Sequence, residues 1–160
     1  MSEAPHPIED ADLDWVLALN QAHVAETSDL TRASLSHMVE EAAYARCVDA
    51  PGAFLLVFDQ TADYDSPNFL WFRERYDRFL YVDRIVVAAT HRRRGLAKTL
   101  YEDLFDVARA LGHAHVGCEV NSDPPNPGSD AFHEALGFEK VGEARLIGRG
   151  KSVRYLSKPL

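Results

Sequence analysis

The sequence predicts a mixed α/β (α+β) domain: one central sheet of about six to seven strands, flanked by about four helices. Three observations predict it. Stretches of helical and strand periodicity alternate along the chain, the apolar run Phe79 to Ala89 leads straight into an amphipathic run, and two further strand patterns close the sequence.

Taken in order, His6 to Ile8 reads as a short strand. Asp10 or Asp12 can cap a helix running to about Asn20, with Leu13, Val16, Leu17 and Asn20 at helical spacing. Thr31 to Ala43 reads as a second helix, with Leu35, Met38, Val39 and Ala42 as its apolar stripe. Tyr44 to Val48 and Ala53 to Asp59 form a hairpin around Pro51-Gly52. Thr61 to Asp77 combines the loop signals Asp65-Ser66-Pro67 with Phe69, Phe72 and Tyr76 at near-helical spacing beside Trp71. Phe79 to Ala89 is apolar apart from Tyr81, Asp83 and Arg84, the pattern of a central strand covered on both faces. The next helix buries Ala97, Leu100, Leu104, Ala108 and Leu111 and ends at Gly112. A strand at Ala114 to Val120 precedes the Pro-rich loop NSDPPNPGSD; Ser129 or Asp130 caps a short helix to Leu136, and Phe138 to Leu146 and Ser152 to Leu156 are the last strands.

Bulk properties narrow the function classes. A chain of 160 residues, 46% hydrophobic and 26% charged, suits one domain over residues 1–160 with a buried core. No run reaches the ~20 apolar residues that span a bilayer, and the start MSEAPHPIEDADLDW lacks the basic and apolar parts of a signal peptide, so the expected compartment is the cytoplasm and no membrane partner is expected. Cys47 and Cys118 match no metal or redox spacing and read as packed thiols. A net charge of −8 argues against a nucleic-acid partner, because that affinity comes mainly from cations neutralising phosphates.

Against that acidity stand Arg92, Arg93, Arg94 and Lys98 at the start of a helix. Helix N-termini already carry about half a positive charge and normally attract Asp or Glu. Cations there make sense when an anion is bound. A strand entering a helix through a glycine turn offers unpaired N–H groups to a phosphate, and Gly95 and Ala97 are small enough for close approach. The loop has neither the triphosphate nor the dinucleotide glycine pattern.

Arg92, Gly95 and Ala97, at the mouth of a helix after a long strand, resemble the acetyl-coenzyme A signature of the GNAT superfamily of N-acetyltransferases: Gln or Arg, two residues, Gly, one residue, Gly or Ala. A second family segment is similar to Asn126, Ser129, Phe132, His133, Leu136, Gly137 and Phe138. The order of elements resembles the whole GNAT fold.

The resemblance implies an acyltransferase that moves an acetyl group from acetyl-coenzyme A directly to a primary amine of a small molecule, peptide or protein, with no metal. It implies that Arg92, Arg93, Arg94, Gly95, Leu96 and Ala97 hold the pyrophosphate, that the backbone at Ile85, Val86 and Val87 pairs with the pantetheine arm, and that Asn126 and Ser129 lie beside it. It implies an opening between the Phe79 strand and the Ala114 strand. At His133 the family usually has Tyr as general acid; a histidine can also supply a proton near neutral pH. Asp83 and Glu119, on the two strands flanking the opening, are the candidate bases that neutralise the amine. Residues 64 to 79 read as a lid with Tyr64, Trp71, Phe72 and Tyr76 or as core; Arg145, Arg149, Lys151 and Arg154 read as a charged surface or a site for an acidic acceptor. The missing Tyr also admits an acyl-coenzyme A sensor on the same fold. The acceptor and the oligomeric state, including a homodimer, stay open.

Overall fold

The computed structural model describes residues 4–25, 27–146, 148 and 150–160; Arg149 lies outside them. Strands β1 (His6–Pro7), β2 (Tyr44–Val48), β3 (Ala53–Asp59), β4 (Leu80–Val87), β5 (His115–Asp123), β6 (Glu139–Leu146) and β7 (Lys151–Pro159) form one sheet in the order β1-β2-β3-β4-β5-β7-β6. The helices are α1 (Leu13–Ala22), α2 (Arg32–Glu41), α3 (Pro67–Arg75), α4 (Leu96–Ala110) and α5 (Pro127–Ala135). Among the described residues no helix is long and apolar enough to cross a membrane.

Each face of the sheet has its own core. On one, Leu13 and Val16 of α1, Leu35 and Met38 of α2, and Phe69 and Phe72 of α3 pack with Phe54, Leu56, Phe58 and Tyr81. On the other, Leu96, Leu100, Leu104 and Ala108 of α4 pack with Leu55, Val57, Leu80 and Val82. β3 and β4 are apolar on both sides because both sides are covered.

Three expectations are adjusted. The helix α5 is capped by Asn126, whose side-chain oxygen accepts the Ser129 N–H at 3.2 Å, instead of by Ser129 or Asp130. Pro127 fixes the first helical φ and has no N–H to lose there. Residues 67–75 form a helix, and Phe69 and Phe72 are core, at 0% and 1% exposure. A Cβ at Gly117 would lie 2.4 Å from Phe72, and one at Gly142 would lie 2.3 Å from Trp71, so α3 sits on the sheet only because those positions lack side chains. Finally, β7 runs to Pro159, beyond the expected Leu156, pairing with β5 back to His115.

Two irregularities build the site. β4 and β5 run parallel but pair only at Leu80 with Val116 and Tyr81 with Gly117, after which they separate. Opposite β3, the register slips by one between Leu56 and Val57, leaving Asp83 as the extra residue between Val82 and Arg84. Cross-strand partners share a face. Tyr81 faces the α1–α3 side with Phe58, and above the bulge Val86 does so with Phe54. The bulge therefore sends Asp83 and Arg84, although adjacent, to the same side.

Candidate active site

The separation of β4 from β5 opens a cavity of about 330 Å³ that passes from one face of the sheet toward the other. Asn68, Asp83, Arg84 and Glu119 line it on the α1–α3 side, and Tyr101, Cys118, Ser129 and His133 on the α4 side. A second cavity of about 240 Å³ continues along Ile85, Val86 and Val87 to Arg92. Thr27 borders both.

Glu119 forms part of the floor. One carboxylate oxygen accepts the Tyr81 hydroxyl at 2.7 Å and the other accepts the Asn68 amide at 3.1 Å, while Asn68 in turn accepts the Tyr155 hydroxyl at 2.9 Å. The carboxyl meets the cavity on one side and protein on all others, so burial pushes it up to about 7. The charge of Asp83 adds to that rise, and the Tyr81 and Asn68 hydrogen bonds partly offset it.

Asp83 is committed differently. It accepts the Arg84 Nε at 2.6 Å and the Tyr64 hydroxyl at 2.5 Å. Arg84 reaches on to Asn20 Oδ1 at 2.9 Å and Ser28 Oγ at 3.0 Å, tying β4 to α1 and to the segment that follows it. Both ion-pair side chains are at most 5% exposed, so removing either would strand a buried charge.

The arginine loop has left-handed backbone at Arg93 (φ 64°) and Gly95 (φ 73°), the kind of alternation that makes successive N–H groups converge on an anion. Gly95 is the N-cap of α4, and a Cβ there would meet nothing within 4 Å, so the concavity in front of the helix is open. Arg92, Arg93 and Arg94 are exposed. His23 Nδ1 faces the Leu19 carbonyl at 3.1 Å, which puts its hydrogen there and leaves Nε2 to accept from Arg92 at 3.2 Å. Lys98 pairs with Glu102 at 3.8 Å.

His133 is buried on α5. Its Nδ1 is 2.7 Å from the Ser129 carbonyl and its Nε2 is 3.0 Å from the Tyr101 hydroxyl. Burial pulls its pKa below the usual value, against the opposing effects of the Ser129 carbonyl and Asp130. Cys118 is buried as well, and burial pushes its thiol pKa well up, which suits packing and not nucleophilic attack.

A family model, the acetyltransferase (GNAT) family, matches residues 32–138. The chain belongs to that family. Comparison with curated protein sequences gives no match. Among solved structures, the fold is shared with the ribosomal-protein-S18-alanine N-acetyltransferase from Escherichia coli, at TM-score 0.74 and 18% identity, covering 99% of this chain and 94% of that one. It is shared with Ard1 from Thermoplasma volcanium, at TM-score 0.77 and 14% identity, covering 99% and 97%. It is also shared with Arabidopsis thaliana NAA60 in complex with acetyl-CoA, at TM-score 0.75 and 13% identity, covering 100% and 99%.

Within this GNAT chain, the cavities bring together Ile85, Val86, Val87 and Arg92 along one channel, and Asp83, Glu119, Asn126, Ser129 and His133 around the other. Lys151 also lines the larger cavity. Arg145 is exposed on β6, while Arg154 is held by Asp130. Asn20, Ser28, Asn68 and Tyr101 were not singled out as site residues from the sequence. Asn20 had a signal, since it is a polar side chain in the apolar stripe of α1, and it is 0% exposed.

Proposed function

We propose that this chain transfers an acetyl group from acetyl-coenzyme A to a primary amine of a small molecule, peptide or protein. The observation that carries the reading is a single opening in the sheet where an anion-ready helix mouth, an unpaired strand edge and a carboxyl with a pKa near 7 converge.

The residues fit coenzyme A. Beyond Tyr81, the β5-facing edge of β4 has no strand partner, so the backbone of Ile85, Val86 and Val87 is free to pair with the two amides of a pantetheine arm. The N–H groups from Arg92 to Ala97 and the first turn of α4 suit the pyrophosphate, and the arginines add attraction. Asn126 and Ser129 would flank the arm from α5. A structural neighbour determined with acetyl-CoA supports this choice of cosubstrate. When bound, the cosubstrate supplies an acyl carbon already activated as a thioester.

Glu119 takes the proton from the amine. Ordinary carboxylates are too acidic to do this well for an α-amino group of pKa ~7.7–8.0, and a carboxyl near 7 is close to matched. Tyr81 and Asn68 hold it in place, and Asp83 acts as a fixed negative neighbour that keeps its proton affinity high. Across the opening, His133 is the titratable group on the side where the sulfur leaves. Transfer is direct, so no acyl-enzyme is needed.

The test is release of free coenzyme A thiol from acetyl-coenzyme A across amines, diamines, amino acids and peptides. Amine-dependent release is expected. The two occupied nitrogens of His133 favour a second reading, a catalytically weak acyl-coenzyme A sensor. A rise in melting temperature with acetyl-coenzyme A but no thiol release from any amine would establish the sensor and remove the enzyme.

A further inference from the structure

We propose that Tyr101 of α4 is a catalytic residue, whose hydroxyl hands a proton to the departing sulfur and is recharged by His133. This rests on the acetyl-transfer reading and adds to it a residue and a route.

The hydrogen-bond geometry fixes the direction. A carbonyl oxygen only accepts, so the 2.7 Å contact from His133 Nδ1 to the Ser129 carbonyl puts a hydrogen on Nδ1. In the neutral ring Nε2 is then an acceptor, and the Tyr101 O–H, 3.0 Å away, points at it. Protonation places a hydrogen on Nε2 as well. Two hydrogens do not share one axis, so the Tyr101 oxygen becomes the acceptor and its own O–H turns from the ring. Tyr101 is fully buried yet borders the cavity, and we place the freed hydrogen on that side. The dyad has two settings, chosen by the charge of His133.

The step balances. As the new carbon–nitrogen bond forms and the thioester carbon–sulfur bond breaks, the electron pair stays on sulfur. Tyr101 gives its hydroxyl proton to the sulfur and takes the Nε2 proton of His133. The dyad ends with neutral His133 and the Tyr101 O–H aimed at Nε2, the setting that the Ser129 carbonyl contact implies for the neutral ring. Before attack the ammonium passes its first proton through Glu119 to solvent; the second, lost by nitrogen as the carbon–nitrogen bond forms, stays on Glu119, and exchange with solvent then discharges Glu119 and recharges His133.

The surroundings keep the pair isolated. His133 stands edge-on to Phe132 at 5.4 Å and to Phe138 at 5.2 Å, and Tyr101 packs against Phe105 and Phe138. His133 borders the cavity too, but with both ring nitrogens occupied its proton passes by way of the phenol oxygen. The titratable groups facing the pair are Cys118 and Glu119 of β5, beside Tyr101, and Asp130 on the helix of His133 itself. Asp130 is also paired with Arg154.

Tyr101→Phe keeps the ring and removes the proton. It is expected to lower kcat on the order of 100-fold while leaving the KM for acetyl-coenzyme A within about threefold. His133→Gln keeps an acceptor or donor toward Tyr101 yet cannot recharge it, and should show the same split. The double variant should be no worse than either single, as for residues acting as a unit. Melting temperatures of all three check folding, and His133→Gln decides the matter if Tyr101→Phe does not fold. Unchanged kcat in Tyr101→Phe, or losses that multiply in the double variant, would overturn the route. Wild-type turnover upholds acetyl transfer independently of these variants; a wild type that releases no thiol removes both readings.

Discussion

The two walls of the opening are built on different principles. The side proposed for coenzyme A is a nearly continuous stretch, Ile85 to Ala97, that offers its backbone: a strand edge without a partner, a left-handed turn and a helix N-terminus. The side proposed for the acceptor is assembled from side chains far apart in sequence. Asn68, Tyr81, Glu119 and Tyr155 form one chain of hydrogen bonds, and Asn20, Ser28, Tyr64, Asp83 and Arg84 form another. The first wall is defined by conformation and the second by which side chains meet in the core. Changes to the first should act on binding, and changes to the second on turnover.

Glu119→Gln is the strongest way to break that division. It should cost ~10²–10³ in kcat while leaving the thermal shift caused by acetyl-coenzyme A intact. It also has a pH signature. In the fold the carboxyl sits at about 7 against an ordinary 4.5, so the neutral form is favoured. Its contribution to stability is present below pH 4.5 and lost as the pH rises through 7. The variant should therefore match wild type at pH 4 and exceed it by up to about 3 kcal/mol at pH 8 in denaturant unfolding. Equal stability at both pH values would mean that the carboxyl is not held up by burial.

Gly95→Val tests the other wall. A β-branched residue in left-handed backbone costs ~1–2 kcal/mol, a drop of roughly 2–8 °C in melting temperature, and its side chain would occupy the open space before the helix. Calorimetry should show at least a tenfold loss of coenzyme A affinity, with kcat at saturation little changed. Undiminished affinity would move the pyrophosphate elsewhere. The smallest effect is expected from Arg94→Ala, an exposed side chain that adds field and no shape. Affinity should fall about two- to fivefold at low salt, and the difference should fade near 1 M salt.

The same division explains what was legible in the sequence. Arg92, Gly95 and Ala97 are close in sequence, so their spacing marked the wall proposed for coenzyme A, and the alternating periodicities carried the order of elements. The bulge at Asp83 was hidden because a register slip is a property of two strands, here β3 and β4. Asp83, expected beside the opening, lines the cavity, and its commitment to Arg84 and Tyr64 depends on α1 and on the loop before α3. Tyr101 reads in sequence as one more apolar position on the α4 stripe, and only its contact with His133 distinguishes it. Residues 67–75 were ambiguous because their aromatics fit a lid or a core equally, and the glycines that admit them, Gly117 and Gly142, lie at least 42 residues away.

The extra residue at Asp83 has a further consequence for β4. It works as a phase shift in a two-letter code: below it odd-numbered positions face the α1–α3 side, and above it even-numbered ones do. One strand thus serves two frames, the lower reading Tyr81 toward Glu119 and the upper reading Arg84 toward Asn20. Deleting Asp83 would remove more than one carboxylate. It would bring the whole strand back into a single frame, in which only one of those two alignments survives.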